Sequence, residues 1–251
     1  MRITIFQQDI LWDSPEENIK KADRAIGNGG SDLYVLPEMF ATGFLTDGTA
    51  PAMGGEALAW MHRKAVAVKA AIAGSLAWEE DGKRYNRFIF VKPNGETATY
   101  DKRHLFAYGG ENKYYTAGEK RTIVEYGGFR ILLQVCYDLR FPVFSRNRQD
   151  YDLVLYVANW PASRSEVWKN LLRARAIENQ CYVVGVNRTG RDKLCAYSGE
   201  SAIIDAYGRT LVECKADTEG IATAEIEIEV LEAFRNKFPV WADADNFALN
   251  L

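Results

Sequence analysis

The run Leu153–Ala158, LVLYVA, offers no polar face on either side of a strand. Successive side chains of a strand point to opposite faces of the sheet, so this one has to be covered above and below. LYVLP at 33–37 reads in the same way. Helical segments fill the intervals: Ile19, Ala22 and Ile26 repeat at helical spacing, and the stretches 54–69 and 163–180 also read as helices. Strands and helices therefore interleave from end to end, which calls for a layered α/β domain.

Other segments refine this expectation. RITIFQQ at 2–8, AAIAGSLAW at 70–78 and YVVGVNRTG at 182–190 are expected strands. Hairpins are expected at 85–102, turning on Pro93, Asn94 and Gly95, and at 122–138, turning on Gly127 and Gly128. They exclude a purely parallel sheet. SAIIDAYGRTLVEC at 201–214 and IATAEIEIEV at 221–230 read as strands joined by turns. Capping boxes are expected at Ser14 with Glu17, where Pro15 takes the first helical position, and at Ser163 with Glu166. No linker, low-complexity stretch or repeat divides the chain, so one domain over 1–251 is expected. Phe238, Trp241 and Phe247 make the tail, residues 236–251, too apolar to stay free. It is expected to dock on its own domain or on a partner subunit.

Charge and cysteine usage narrow the partners. A net charge of -3, from 31 basic and 34 acidic residues, gives a nucleic-acid partner little support. The first residues, MRITIFQQDILW, are a strand followed by polar residues rather than a secretory signal. No apolar run approaches the roughly 20 residues of a membrane span. Cys136, Cys181, Cys195 and Cys214 lack CxxC spacing, so neither a zinc site nor a disulfide framework is expected, and the expected compartment is reducing and cytoplasmic.

Cys136 is the residue out of place. A packing cysteine sits inside an apolar run, whereas this one ends the run RILLQV and is followed by Tyr137, Asp138 and Arg140. A thiol that attacks an amide or nitrile needs a base, a proton donor for the leaving amine and positive charge for the oxyanion. Two histidines are present, His62 and His104. His62 lies beside Trp60 and Met61 in a helical segment and reads as structural. His104 follows Lys102 in YDKRHLF, and no orienting Asn or Asp can be assigned to it from sequence. The strand ends provide another set: Glu38 ends LYVLPE, Lys102 ends TATYDK and Cys136 ends ILLQVC. Three such side chains, each behind an apolar run, point to one shared edge, where open α/β sheets bind ligands.

These motifs resemble the nitrilase, or carbon–nitrogen hydrolase, superfamily, whose catalytic triad is Glu-Lys-Cys. LPEMF carries Glu38, DKRHLF carries Lys102 and CYDLRFP carries Cys136, while ANWP at 158–161 and RARAIENQ at 173–180 resemble further family segments. The likeness runs from the first strand to the tail KFPVWADADNF, and within the superfamily the chain is most similar to bacterial omega-amidases. Many relatives carry Glu after the Phe-Pro of the cysteine motif, where this chain has Val143.

The resemblance implies a four-layer α-β-β-α sandwich, a homodimer stacked through helices, and no cofactor. It implies hydrolysis of the terminal amide of 2-oxo dicarboxylic acid monoamides, with a small-molecule amide as the partner. Cys136 would be the nucleophile, Glu38 the base and acid, and Lys102 the oxyanion holder together with the Tyr137 backbone N–H. Glu111, in YGGENKYYTAG, corresponds to a second family glutamate that orients Lys102. Arg140 would bind a substrate carboxylate or be tied to an acidic neighbour, and Trp160 is a further substrate-binding candidate. Asp138 is expected to hold its turn through backbone N–H groups. Two alternatives stay open: a relative acting on nitriles, N-carbamoyl compounds or other aliphatic amides, and a non-catalytic scaffold. Scaffold members typically lose a triad residue, and this chain keeps all three.

Overall fold

In a computed structural model that describes residues 1–45 and 54–248, the expected alternation of strand side chains sorts the molecule into layers. The first half comprises β1 (Arg2–Gln7), α1 (Pro15–Ile26), β2 (Leu33–Val35), α2 (Gly54–Val68), β3 (Ala71–Glu80), β4 (Lys83–Val91) and β5 (Thr97–Asp101). The second half begins with β6 (Ile123–Tyr126), β7 (Phe129–Val135), α3 (Pro142–Ser145), β8 (Leu153–Ala158), α4 (Ser165–Asn179) and β9 (Tyr182–Asn187). It continues through β10 (Thr189–Arg191), β11 (Ala196–Ser198), β12 (Ala202–Ile204), β13 (Thr210–Glu213), β14 (Gly220–Glu225) and α5 (Ile228–Lys237).

Two six-stranded sheets result, in the orders β14-β1-β2-β3-β4-β5 and β13-β12-β9-β8-β7-β6. Ile131, Leu133 and Val135 of β7 and Leu153, Leu155 and Val157 of β8 face Ile3, Ile5, Val35, Phe88 and Phe90 of the first sheet in one core. Phe6, Tyr34 and Ile72 point the other way, onto Ala22 and Ile26 of α1 and Trp60 and Met61 of α2. Val154, Tyr156 and Val183 likewise point onto Trp168, Leu172 and Ala176 of α4. Three cores between four layers make the α-β-β-α sandwich, and the unbroken apolar character of LVLYVA follows from its two covered faces. Truncating a central side chain such as Leu133 to Ala would cost about 2–5 kcal/mol.

Strand direction places the functional edge. β1, β2 and β3 run parallel; β4 reverses against β3 and β5 reverses again, so β5 runs with β2. β7, β8 and β9 are parallel in the other sheet. Their carboxyl ends carry the residues described below.

Local structure departs from expectation at four places. Neither capping box forms: the Ser14 hydroxyl donates to the Trp12 carbonyl, and α4 starts at Ser165 after a 3-10 turn over Ala162–Arg164. The strand read at 182–190 stops at Asn187, and Thr189–Arg191 begins a separate hairpin with Ala196–Ser198. The segment read as strand through 230 ends at Glu225, and α5 begins at Ile228. Period two in IEIEV is overridden by the longer pattern Ile228, Leu231, Phe234 and Arg235, which packs at helical spacing. Beyond α5, Gln180 donates to the Phe238 carbonyl at 2.8 Å, and the Arg235 guanidinium lies 4.4 Å from the Trp241 ring centre. Residues 249–251 of the tail lie outside the described residues.

Candidate active site

Each candidate side chain enters through the turn that ends its strand. Beyond β2, Pro37 stops the ladder and Glu38 follows, with Met39 in the left-handed region at φ 47°. Lys102 directly follows β5. Cys136 directly follows β7 and is itself left-handed, at φ 47°. A side chain other than glycine costs about 1–3 kcal/mol in such a conformation, so the surroundings must hold it there. Asp138 does so: it accepts from the Val135 N–H (2.9 Å), the Tyr100 hydroxyl (2.8 Å), and the His104 N–H and Nδ1 (3.0 and 2.7 Å). The role expected of Asp138 is met, and it reaches further, joining the cysteine turn to the segment that carries Lys102. His104, stacked on Phe141 at 3.9 Å, thus has an aspartate partner that sequence could not assign. Among the described residues no hydrogen bond joins it to Cys136.

Behind the thiol lies a closed network of charges. Lys102 Nζ contacts Glu38 Oε1 at 3.0 Å and both Glu111 oxygens at 3.0 and 2.9 Å. The Phe106 N–H donates to Glu111 at 2.6 Å. Asn86 Nδ2 bridges the two carboxylates, at 2.7 Å to Glu38 and 3.1 Å to Glu111. Its orientation is dictated: the Met39 N–H donates to the Ser75 hydroxyl, which donates in turn to Asn86 Oδ1. From the other sheet, Asn159 donates its backbone N–H to Glu38 Oε2 at 2.7 Å and its Nδ2 to the Glu38 carbonyl at 2.8 Å. Among the described residues Asn159 Oδ1 has no partner. Glu38, Lys102 and Glu111 are essentially inaccessible to solvent.

A cavity of about 350 Å³ opens over this network. Glu38, Lys102, Cys136, Tyr137, Arg140 and Trp160 all line it, and Glu111 sits behind Lys102. Arg140 is exposed, and its guanidinium lies 5.3 Å from the Trp160 ring centre.

Comparison with known proteins decides the family. The model of the carbon-nitrogen hydrolase family matches residues 2–236. The chain belongs to that family. It is 47% identical to the omega-amidase YafV of Escherichia coli K12 over 99% of this chain and 98% of that one. To the 2-oxoglutaramate amidase of Bacillus subtilis it is 36% identical, with 96% of each chain covered. Among solved structures, XC1258 of Xanthomonas campestris, described as a CN-hydrolase superfamily protein with an arsenic adduct in its active site, superposes with a TM-score of 0.96 at 42% identity, covering 100% of this chain and 99% of that one.

In this carbon–nitrogen hydrolase, burial and charge set the protonation of the pocket floor. Burial, reinforced by the Glu38 charge, pushes the Cys136 thiol well above its ordinary value, while Lys102 opposes them. Burial works against the Lys102 ammonium, but Glu111 and Glu38 outweigh it and carry its pKa up, so it stays charged. Burial also raises Glu111, with Lys102 opposing and Glu38 assisting. The resting arrangement is thus a neutral thiol beside a fixed cation: such a thiol would need a base to act as a nucleophile, and such a cation could hold an oxyanion.

Two partners of Glu38 went unread in the sequence. Asn86 stands in the polar stretch Lys83–Arg87 that opens β4, before the apolar run Phe88–Val91, and nothing in the sequence set it apart from its neighbours. Asn159 ends LVLYVA as Cys136 ends ILLQV, so the argument from strand exits applies to it equally.

Proposed function

We propose that the protein is an omega-amidase-type amidohydrolase. It cleaves the terminal amide of 2-oxo dicarboxylic acid monoamides, 2-oxoglutaramate and 2-oxosuccinamate, to the dicarboxylate and ammonia through a thioester on Cys136. The observation that carries this reading is the thiol on a strained turn, beside a carboxylate and an ammonium that share one buried network. The names of two relatives, omega-amidase and 2-oxoglutaramate amidase, support the substrate class.

Glu38 takes the Cys136 proton as the sulfur attacks the amide carbonyl. The carbonyl oxygen becomes an oxyanion held by the Lys102 ammonium and the Tyr137 N–H, which lies second in the 3-10 turn Cys136–Arg140 and has no acceptor within it. Glu38 returns its proton to the nitrogen, the C–N bond breaks, and ammonia leaves an acyl-thioester. Water then gives a proton to Glu38 and adds to the thioester. Breaking of the C–S bond releases the acid, and the Glu38 proton returns to the sulfur to restore the thiol and the carboxylate. Glu111 and Asn86 hold Lys102 and Glu38 in place, and Arg140 takes the remote carboxylate with its planar donors.

Ammonia release from a panel of amides, nitriles and N-carbamoyl amino acids tests the reading. Turnover of 2-oxoglutaramate, with none of the nitriles or carbamoyl compounds, is expected. The reverse preference would move the chain to another branch of the family.

A homodimer is part of the proposal. Exposed Ile177 and Tyr207 border a groove with Phe234 and Phe238 at the α4–α5 edge, an apolar surface suited to a second copy. Sedimentation should then report twice the 28.3 kDa chain mass. A cytoplasmic location is proposed on the four free thiols, which suit a reducing compartment, and cell fractionation would test it.

A further inference from the structure

We infer that Arg164 is a second specificity-determining residue of this pocket: with Arg140 it forms a two-guanidinium site for the 2-oxo acid end of the substrate. The inference rests on the substrate reading above and adds a residue and a geometry to it.

Several arginines at least partly withdrawn from solvent provide the contrast. Arg87, Arg121, Arg130, Arg175, Arg188 and Arg235 each hold a carboxylate. Among the described residues, neither the Arg140 nor the Arg164 guanidinium has an ion pair or hydrogen bond. Both line the catalytic pocket, and each lies near an aromatic ring: Arg140 at 5.3 Å from Trp160 and Arg164 at 5.5 Å from Phe106. Trp160 connects them, since its ring neighbours Arg140 while its Nε1 donates to the Arg164 carbonyl at 2.8 Å. Asp192, the other carboxylate besides Glu38 among the pocket-lining residues, is already engaged. It accepts from the Leu194 and Cys195 N–H groups and from the Tyr197 hydroxyl. Two cations are thus left unneutralised beside aromatic walls.

The chemistry of a 2-oxo acid fits that charge. Its carboxylate and adjacent keto oxygen give three acceptors close to one plane, more than the two parallel bonds that one guanidinium edge makes to a carboxylate. A 2-amino acid amide would bring its ammonium between two cations instead. An uncharged amide such as butyramide gains nothing from either.

The test measures kcat/KM for 2-oxoglutaramate and for butyramide in the wild type, Arg164→Gln and Arg164→Lys. Inhibition of butyramide hydrolysis by 2-oxoglutarate is followed alongside. Arg164→Gln should reduce the preference for 2-oxoglutaramate over butyramide by about 10- to 150-fold, the loss of one charge-assisted contact, and raise the inhibition constant by a similar factor. Arg164→Lys, which keeps the charge and most of the side-chain stem, should recover part of both and stands in if the Gln variant fails to fold. Equal losses on the two substrates, or inhibition indifferent to both substitutions, would overturn the inference and leave Arg164 as a brace for Phe106. If the wild type does not favour 2-oxoglutaramate while inhibition still depends on Arg164, the substrate reading fails and the anion site stands.

Discussion

The floor and the rim of the pocket treat charge in opposite ways. On the floor, Glu38, Lys102 and Glu111 are withdrawn from solvent, and each is tied by hydrogen bonds that fix its geometry. On the rim, Arg140 and Arg164 stand beside aromatic rings with no carboxylate on either of them among the described residues. A buried charge must be paired because its desolvation is otherwise uncompensated. A rim charge left unpaired can be completed by a ligand. The contrast separates chemistry, which requires preorganised charge, from selection, which requires charge still available. Substitutions on the floor should therefore damage all substrates alike, and substitutions on the rim should damage them selectively.

Glu38→Gln should produce the largest effect, a fall in kcat of about 10²- to 10⁴-fold on every substrate, since the proposed base and acid would be lost together. The same change removes a negative charge beside the thiol, so the titration midpoint of Cys136, followed by pH-dependent alkylation, should move down. An unchanged midpoint would mean that Glu38 does not act on the thiol. Lys102→Met comes next, with about 10²- to 10³-fold lost through the missing oxyanion donor. Its thiol midpoint should move up, the opposite sign, because the stabilising cation is gone. Two buried carboxylates are then left without their cation, and thermal unfolding should show about 3–5 kcal/mol of lost stability.

Rim variants should show smaller and selective losses. Arg140→Lys should impair the 2-oxo acid amides by up to about 10- to 150-fold relative to butyramide. Equal losses would make Arg140 structural. His104→Ala should have the smallest effect on turnover, because the ring supports the cysteine turn through Asp138 rather than meeting Cys136. A dead His104→Ala variant beside an active Glu38→Gln would replace this scheme with Cys–His chemistry.

The same division explains what could be read from sequence. Glu38, Lys102 and Cys136 were legible as candidates because each follows the end of a strand, Glu38 and Cys136 directly behind apolar runs, and one pocket brings the three together. The sandwich was legible only in part: continuous apolar runs such as LVLYVA required cover on both faces, but that a second sheet provides one of the covers came from family likeness. Asn86 and Asn159 escaped because their meaning lies in partners 48 and 121 residues away across the fold. Arg164 escaped because an unpaired charge and a paired one look alike in sequence. The helix at Ile228 was misread because a short period-two pattern outweighed the longer helical one that tertiary packing uses. The expected capping boxes failed for a related reason, with the Ser14 hydroxyl turned to a nearby carbonyl instead of the helix end.

A common acyl-thioester on Cys136 is the centre of the account, and partition by hydroxylamine tests it most directly. Butyramide and methyl butyrate would each be turned over at a fixed hydroxylamine concentration, and the ratio of butyrohydroxamate to butyrate measured. If both substrates pass through the same Cys136 thioester, the two ratios are equal, and Cys136→Ala forms neither product. Different ratios from the two substrates, or product formed by Cys136→Ala at near wild-type rates, would contradict it.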